Sequence, residues 1–277
     1  MINWFPGHMN KTLKQMQADS KVCSCFLYVL DARCPYSCLN PEFERVVGSK
    51  PIIYILNKAD LITEKDKAKI VQQFNCENKI AVPLNATKSG NGKVIINAIK
   101  QIMQPVLKQN EAKGVNFITR AMVLGVPNSG KSTIVNNLCK NARAVTGNKA
   151  GVTRSKQWVK VEGNIEILDT PGILLPNFDE EWKAYNLAFV GSVRDDVLNL
   201  TDISLKLIEK LNSIDIKIIS TKYSVVYAEN TQPIDILTAI GKKRGCLIKG
   251  GEIDYERASK LLLGDFRSGK LGLICLE

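Results

Sequence analysis

Eight residues, Gly125-Val126-Pro127-Asn128-Ser129-Gly130-Lys131-Ser132, match G-x-x-x-x-G-K-[ST] without deviation. They follow Ile118-Thr119-Arg120-Ala121-Met122-Val123-Leu124, which reads as a buried strand, and Ser132 to Cys139 reads as the start of a helix. Gly125 and Gly130 let the backbone curl so that successive N–H groups point at phosphate oxygens, and the helix N-terminus adds partial positive charge. Lys131 is positioned to reach the β- and γ-phosphates and the Ser132 hydroxyl to ligate Mg²⁺, with Asn128, Ser129, Gly130 and Thr133 completing the phosphate contacts. The bland alternative, a Gly-rich turn that happens to spell GKS, does not explain the flanking strand and helix.

Three further segments have the chemistry of the same site. Asp169-Thr170-Pro171-Gly172 follows the strand Ile165-Glu166-Ile167-Leu168 and has the form D-x-x-G. Its Asp would hold Mg²⁺ through water and the Gly172 N–H would meet a γ-phosphate. Thr153 lies in a basic loop between these two motifs, where a switch threonine coordinates Mg²⁺. Asn57-Lys58-Ala59-Asp60 ends the apolar run Ile52-Ile53-Tyr54-Ile55-Leu56. An Asp there accepts from the ring N–H and the exocyclic amine of guanine, donors that adenine does not offer in that place. Asn57 would support the loop and meet the purine edge, and the Lys58 stem would cover the ring face. Asn85-Ala86-Thr87 follows the strand Ile80-Ala81-Val82-Pro83-Leu84 where a Ser-Ala-Lys base loop would be expected. It departs from that form, which leaves the Ala86 backbone as its expected base contact.

The order of these parts is rotated, with the guanine-reading tetrapeptide ahead of the phosphate loop. With Trp4-Phe5-Pro6-Gly7-His8-Met9, Asp31-Ala32-Arg33, the Gly151-Val152-Thr153 segment and a tail containing Lys242-Lys243-Arg244-Gly245-Cys246, the whole chain resembles the ribosome biogenesis GTPase A family. These are circularly permuted GTPases of bacteria with mitochondrial relatives. The resemblance implies GTP and GDP as ligands and GTP hydrolysis coupled to late assembly of the large ribosomal subunit. It implies as partner that subunit or its precursor, through rRNA and ribosomal proteins.

Ras-like proteins place a water-orienting Gln directly after D-x-x-G; here that place is Ile173. His8 is the one histidine of the chain, and its imidazole suits positioning or deprotonating water near neutral pH. In the family it is the proposed catalytic substitute; the alternative is that it packs against or caps the following helix. Asn128 has two readings as well: a K⁺ ligand beside the phosphates, as in potassium-activated GTPases, or a residue chosen for turn geometry.

Charge and composition bound the rest. The net charge is +11, and residues 180–277 hold 14 basic and 14 acidic residues, so the excess lies entirely in residues 1–179. Residues 112–161 contain nine Lys or Arg and no acid, suited to nucleotide phosphates and to an RNA backbone. Lys242-Lys243-Arg244 with Lys249 is a smaller patch, open to RNA contact or to ordinary solvation. No apolar run approaches the roughly 20 residues of a membrane span, and Met1-Ile2-Asn3-Trp4 does not begin a signal or transit peptide. A cytoplasmic protein, monomeric when free and without membrane partners, is expected. Its eight scattered cysteines fit reduced thiols better than the metal clasps that Cys23-x-Cys25 or Cys34-x₃-Cys38 would allow.

Strand-like runs near 25–31, 51–56, 80–85, 118–124, 157–161 and 164–169 alternate with helical stretches near 10–20, 64–74, 93–110 and 132–140. The expected fold is α/β: a circularly permuted P-loop domain over 1–177, with a mostly parallel sheet covered on both faces. A small, mainly helical C-terminal domain that binds RNA or ribosome is expected over 178–277, with helices near 180–193, 200–212 and 233–241. The expected boundary is Pro176-Asn177-Phe178, so that the chain leaves Gly172 directly for the helical part.

Overall fold

A computed structural model of the chain describes residues 8–141, 158–174 and 180–277. The expected boundary at 176–178, Thr153 and residues 142–157 of the acid-free basic stretch lie outside the described residues, as do the side chains of His8 to Asn10, Lys140 and Asn141. The chain divides into two compact units, with residues 8–174 in one and 180–276 in the other.

In the first unit, six strands form one sheet: β1 (Cys25–Asp31), β2 (Ile52–Asn57), β3 (Lys79–Pro83), β4 (Thr119–Leu124), β5 (Trp158–Val161) and β6 (Ile165–Leu168). The order is β3-β2-β1-β4-β6-β5, and every pairing is parallel except β5 with β6. β1 and β2 are buried along their whole length, which is why they read as continuous apolar runs. β5, the antiparallel edge, alternates exposed and half-buried residues.

Helices α1 (His8–Ser20), α2 (Pro41–Val47), α3 (Glu64–Phe74), α4 (Asn91–Ile102), α5 (Gln104–Ala112) and α6 (Lys131–Asn141) surround the sheet. Because strand side chains alternate, one face offers Leu27, Val29, Ile53, Ile55, Ala121 and Val123 to Ile95, Ile96 and Ile99 of α4 and Ile134, Val135 and Leu138 of α6. The opposite face is aromatic. Tyr28 meets Phe43 of α2 edge-on at 5.4 Å and Tyr54 meets Phe74 of α3 at 4.9 Å. α1 packs on α2 on that side.

Two differences from the sequence reading have local causes. The single helix expected over 93–110 is two, because Pro105 sits in the first turn of α5, where its missing N–H costs nothing. α2 was not anticipated, although Asn40 caps it by accepting from the Glu42 N–H at 2.9 Å and Pro41 occupies its first position.

The second unit is helical: α7 (Glu181–Phe189), α8 (Leu200–Ile214), α9 (Lys217–Tyr223), α10 (Pro233–Lys243) and α11 (Tyr255–Arg267). α8 is central and packs against the other four, burying Ile203, Leu207, Ile208 and Leu211. Arg267 closes the end of α7, donating from Nε to the Phe189 carbonyl at 3.0 Å and from a terminal nitrogen to that of Ala188 at 2.9 Å. No helix among the described residues is long and apolar enough to cross a membrane.

Candidate nucleotide site

Parallel pairing puts the carboxyl ends of β1, β2, β3, β4 and β6 on one edge of the sheet. All the described chemistry-bearing loops leave from that edge, as open α/β sheets require. Across the sheet they run Asn85-Ala86-Thr87, Asn57 to Asp60, Asp31 to Arg33, Gly125 to Ser132 and Asp169 to Gly172. The base-reading loops therefore stand to one side and the phosphate loops to the other, whatever their order in the chain.

One buried side chain joins the two sides. Asn57, 3% exposed, donates from Nδ2 to the Ser129 carbonyl at 2.7 Å. Its Oδ1 accepts from the N–H of Lys58 at 2.8 Å and of Ala86 at 2.9 Å. A base oxygen approaching Ala86 would therefore share that N–H with Asn57. Gly130 makes the approach possible: its φ is +102°, and a Cβ there would lie 2.1 Å from Asn57 Nδ2.

The remaining base-loop residues also have defined places. Ala59 is buried and donates its N–H to the Leu84 carbonyl at 3.1 Å, while Asp60 projects into solvent, free to meet a base. The Asn85 side chain accepts from the N–H of Thr87 at 2.9 Å and from its hydroxyl at 2.7 Å, so it shapes its own loop. Asn137 of α6 and Asn91 of α4 donate to the carbonyls of Ala86 and Asn85. These two went unnoticed in the sequence because a helical Asn carries no motif.

In the phosphate loop, Ser129 is buried and its hydroxyl donates to the Val126 carbonyl at 2.9 Å. Asn128 has φ +57°, the left-handed region that Asn tolerates, which gives its turn-geometry reading a concrete basis. Ser132 and Thr133 are exposed in the first turn of α6, where an anion would meet helix N–H groups. Lys131 is buried and folds back onto its own loop, donating to the carbonyls of Gly125 at 3.1 Å and Val126 at 2.7 Å. Burial pushes its pKa down to about 8, opposed by the Asp169 carboxylate. Gly172 touches the same group, since a Cβ there would lie 2.7 Å from Lys131 Nζ.

Asp169 is thus within electrostatic reach of the phosphate lysine, and Ser132 stands at the same loop. A carboxylate and a hydroxyl are hard oxygen donors that suit Mg²⁺ completed by phosphate and water. No cluster of three or more His, Cys, Asp or Glu occurs among the described residues. Ile173, 1% exposed, faces the interior, as does Leu174. The basic stretch is partly committed: Arg120 pairs with Glu166 at 2.9 Å and lies 5.5 Å from the Trp158 ring centroid.

A phosphate loop and D-x-x-G on adjacent strands, a guanine-selective loop tied to them by Asn57, and the rotated chain order define a circularly permuted P-loop GTPase. The family model described as "50S ribosome-binding GTPase" matches residues 120–237. Ribosome biogenesis GTPase A of Bacillus cereus is 36% identical over 281 residues, covering 100% of this chain and 94% of its own length. The mitochondrial ribosome-associated GTPase 1 of Bos taurus is 31% identical, covering 100% and 89%. The chain belongs to the ribosome biogenesis GTPase A family. Among solved structures, GNP-bound YlqF from T. maritima has a TM-score of 0.65 and 27% identity, covering 96% of this chain and 97% of its own.

Two predictions follow from this geometry. Asn57→Ala leaves the Ser129 carbonyl and the N–H groups of Lys58 and Ala86 without their partner. At about 1–3 kcal/mol for each buried group left unmade, it is expected to lower the denaturant midpoint and to weaken GDP binding more than tenfold. Asn57→Asp sets a second oxygen against the Ser129 carbonyl and buries a charge, so it should not recover the stability lost in Asn57→Ala.

The second concerns protons. Lys131 titrates near 8 in the nucleotide-free fold and at about 10.5 when unfolded. In that window the unfolded chain holds the proton that the folded chain has lost, so the Lys131 contribution to stability improves as pH rises from about 8 to 10.5. Phosphates restore the ammonium, so GDP binding at pH 9 should take up protons. Calorimetry in two buffers of different ionisation enthalpy reads the uptake, and Lys131→Met should abolish it.

Proposed function

We propose that the chain binds and hydrolyses GTP during late assembly of the large ribosomal subunit, that the particle stimulates turnover, and that hydrolysis releases the protein. Phosphoryl transfer asks an enzyme mainly for positioning and charge stabilisation. The phosphate-loop N–H groups and Lys131 supply both to the phosphates, with Mg²⁺ held by Ser132, by Asp169 through water and by Thr153. Asn57, Lys58, Ala59, Asp60 and the Asn85-Ala86 loop choose guanine.

The observation that carries the proposal is the buried Ile173 after a complete D-x-x-G. The nucleotide-holding parts are in place, but an aliphatic side chain turned into the core cannot orient water. Turnover by the free, monomeric, cytoplasmic protein is therefore slow. His8, at the start of α1, is the candidate to take over once the ribosome reorders its segment. The C-terminal unit supports an rRNA partner. Lys242, Lys243, Arg244 and Lys249 are exposed, and Arg244 lies 5.2 Å from the Tyr223 ring centroid. The same Ile173 supports a second reading, a GTP-gated rRNA-binding scaffold in which hydrolysis has no function.

GTP turnover measured with large subunits, their precursors, small subunits and tRNA separates the readings. Stimulation by large-subunit particles alone is expected. Equal turnover with and without them supports the scaffold, and stimulation by tRNA alone overturns the ribosomal assignment. His8→Ala should lose most of the stimulated rate at unchanged GTP affinity; an unchanged stimulated rate removes His8 from the mechanism. Repeating the assay in KCl and NaCl at equal ionic strength tests Asn128 as a K⁺ ligand, since equal rates exclude that role.

A further inference from the structure

The segment Asp31-Ala32-Arg33 has no part in the nucleotide contacts above, yet it carries a buried ion pair beside the base-reading loop. Asp31 ends β1 and is 1% exposed. Its Oδ1 accepts from the Arg33 N–H at 3.2 Å and from Arg33 Nε at 2.9 Å, and its Oδ2 accepts from a terminal nitrogen of Arg33 at 2.8 Å. The same Oδ2 accepts from Lys58 Nζ at 2.7 Å. Burial alone would raise the Asp31 pKa, but Arg33 and Lys58 outweigh it and hold the carboxyl at about 2. Arg33 is itself buried.

Lys58 is constrained at both ends. Its backbone sits in the left-handed region at φ +60°, which a lysine rarely adopts, and its N–H is held by Asn57. Its ammonium lies between Asp31 and the Asn128 carbonyl, 3.4 Å away in the phosphate loop. A lysine can lay its stem along an apolar face while its ammonium stays in water, so a tether on the head removes rotamer freedom that covering a purine would otherwise cost.

We infer that Asp31, itself locked by Arg33, is the residue that positions Lys58 for guanine-nucleotide binding, tethering its ammonium so that the stem lies along the base. Arg33 takes one side of the carboxylate and fixes its rotamer; Lys58 takes the remaining lone pair. The inference rests on the guanine-nucleotide reading of the Asn57-to-Asp60 loop.

A double-mutant cycle on the full chain tests it, using GDP dissociation constants for wild type, Asp31→Asn, Lys58→Ala and the double variant. Loss of a charge-assisted bond is expected to weaken GDP about tenfold in the wild-type background. With Lys58 already Ala, the same change should cost less than about twofold, because nothing remains to tether. Equal losses in both backgrounds, or no loss in the first, overturn the inference. Inosine diphosphate supplies a readout that general loosening would move: guanine and hypoxanthine share the covered ring face, so Asp31→Asn should leave the GDP-to-IDP ratio unchanged. A changed ratio means that Asp60 has shifted and overturns the role. If Asp31→Asn does not fold, Asp31→Glu enters the same cycle, with coupling supporting and additivity overturning. A wild-type chain that binds no GDP would sink the guanine reading as well; one that binds it with an additive cycle sinks only the role of Asp31.

Discussion

The Asn57 carboxamide is the contact on which the site depends. It donates into the phosphate loop and accepts from both base loops, so three loops from β2, β3 and β4 share one planar group. β2 and β4 are not neighbours; β1 lies between them. The amide therefore bridges over the end of β1, and the phosphate loop must come in close, which Gly130 permits by having no side chain. The base loops and the phosphate loop are consequently linked through one residue.

That arrangement explains why rotating the chain order does not disturb the chemistry. Which loops meet is decided by strand order and by the parallel sense of the pairs, both of which put the carboxyl ends together. Connectivity decides only which segments enter and leave. Here β1 ends in Asp31, directly under the amide bridge, and its carboxylate ties the neighbouring lysine of the same base loop. Two bonds from successive residues, Asn57 and Lys58, thus hold the base loop to the phosphate loop and to the central strand.

Much of this was legible in the sequence because the elements have strong periodic or chemical signatures. All six strands were found near their positions: the buried parallel strands β1 and β2 read as unbroken apolar runs, and β5 as the alternation of a sheet edge. Helices were harder. α2, α9 and α11 were missed, although Asn40-Pro41 before α2 and Asp254 before α11 are ordinary cap signals, the latter accepting from the Arg257 N–H at 2.9 Å. Long-range polar contacts were not legible. Asn137 reaching the Ala86 carbonyl, and Glu166 neutralising Arg120, depend on which strands and helices become neighbours, and no local pattern encodes that. Within the acid-free charge run over 112–161, Arg120 is committed to Glu166 for the same reason.

The Lys131 ammonium is held by two carbonyls of its own loop, Gly125 and Val126. The position is costly for a charge, which is why the proton is held only to about pH 8, and phosphate oxygens relieve that cost when they replace the carbonyls. Binding and hydrolysis are therefore separable demands on this fold. The first draws on preformed N–H groups, Lys131 and the amide bridge. The second needs a group beside the γ-phosphate that orders water, and the residue after D-x-x-G instead fills the core. Burial of Ile173 turns that side chain into the interior.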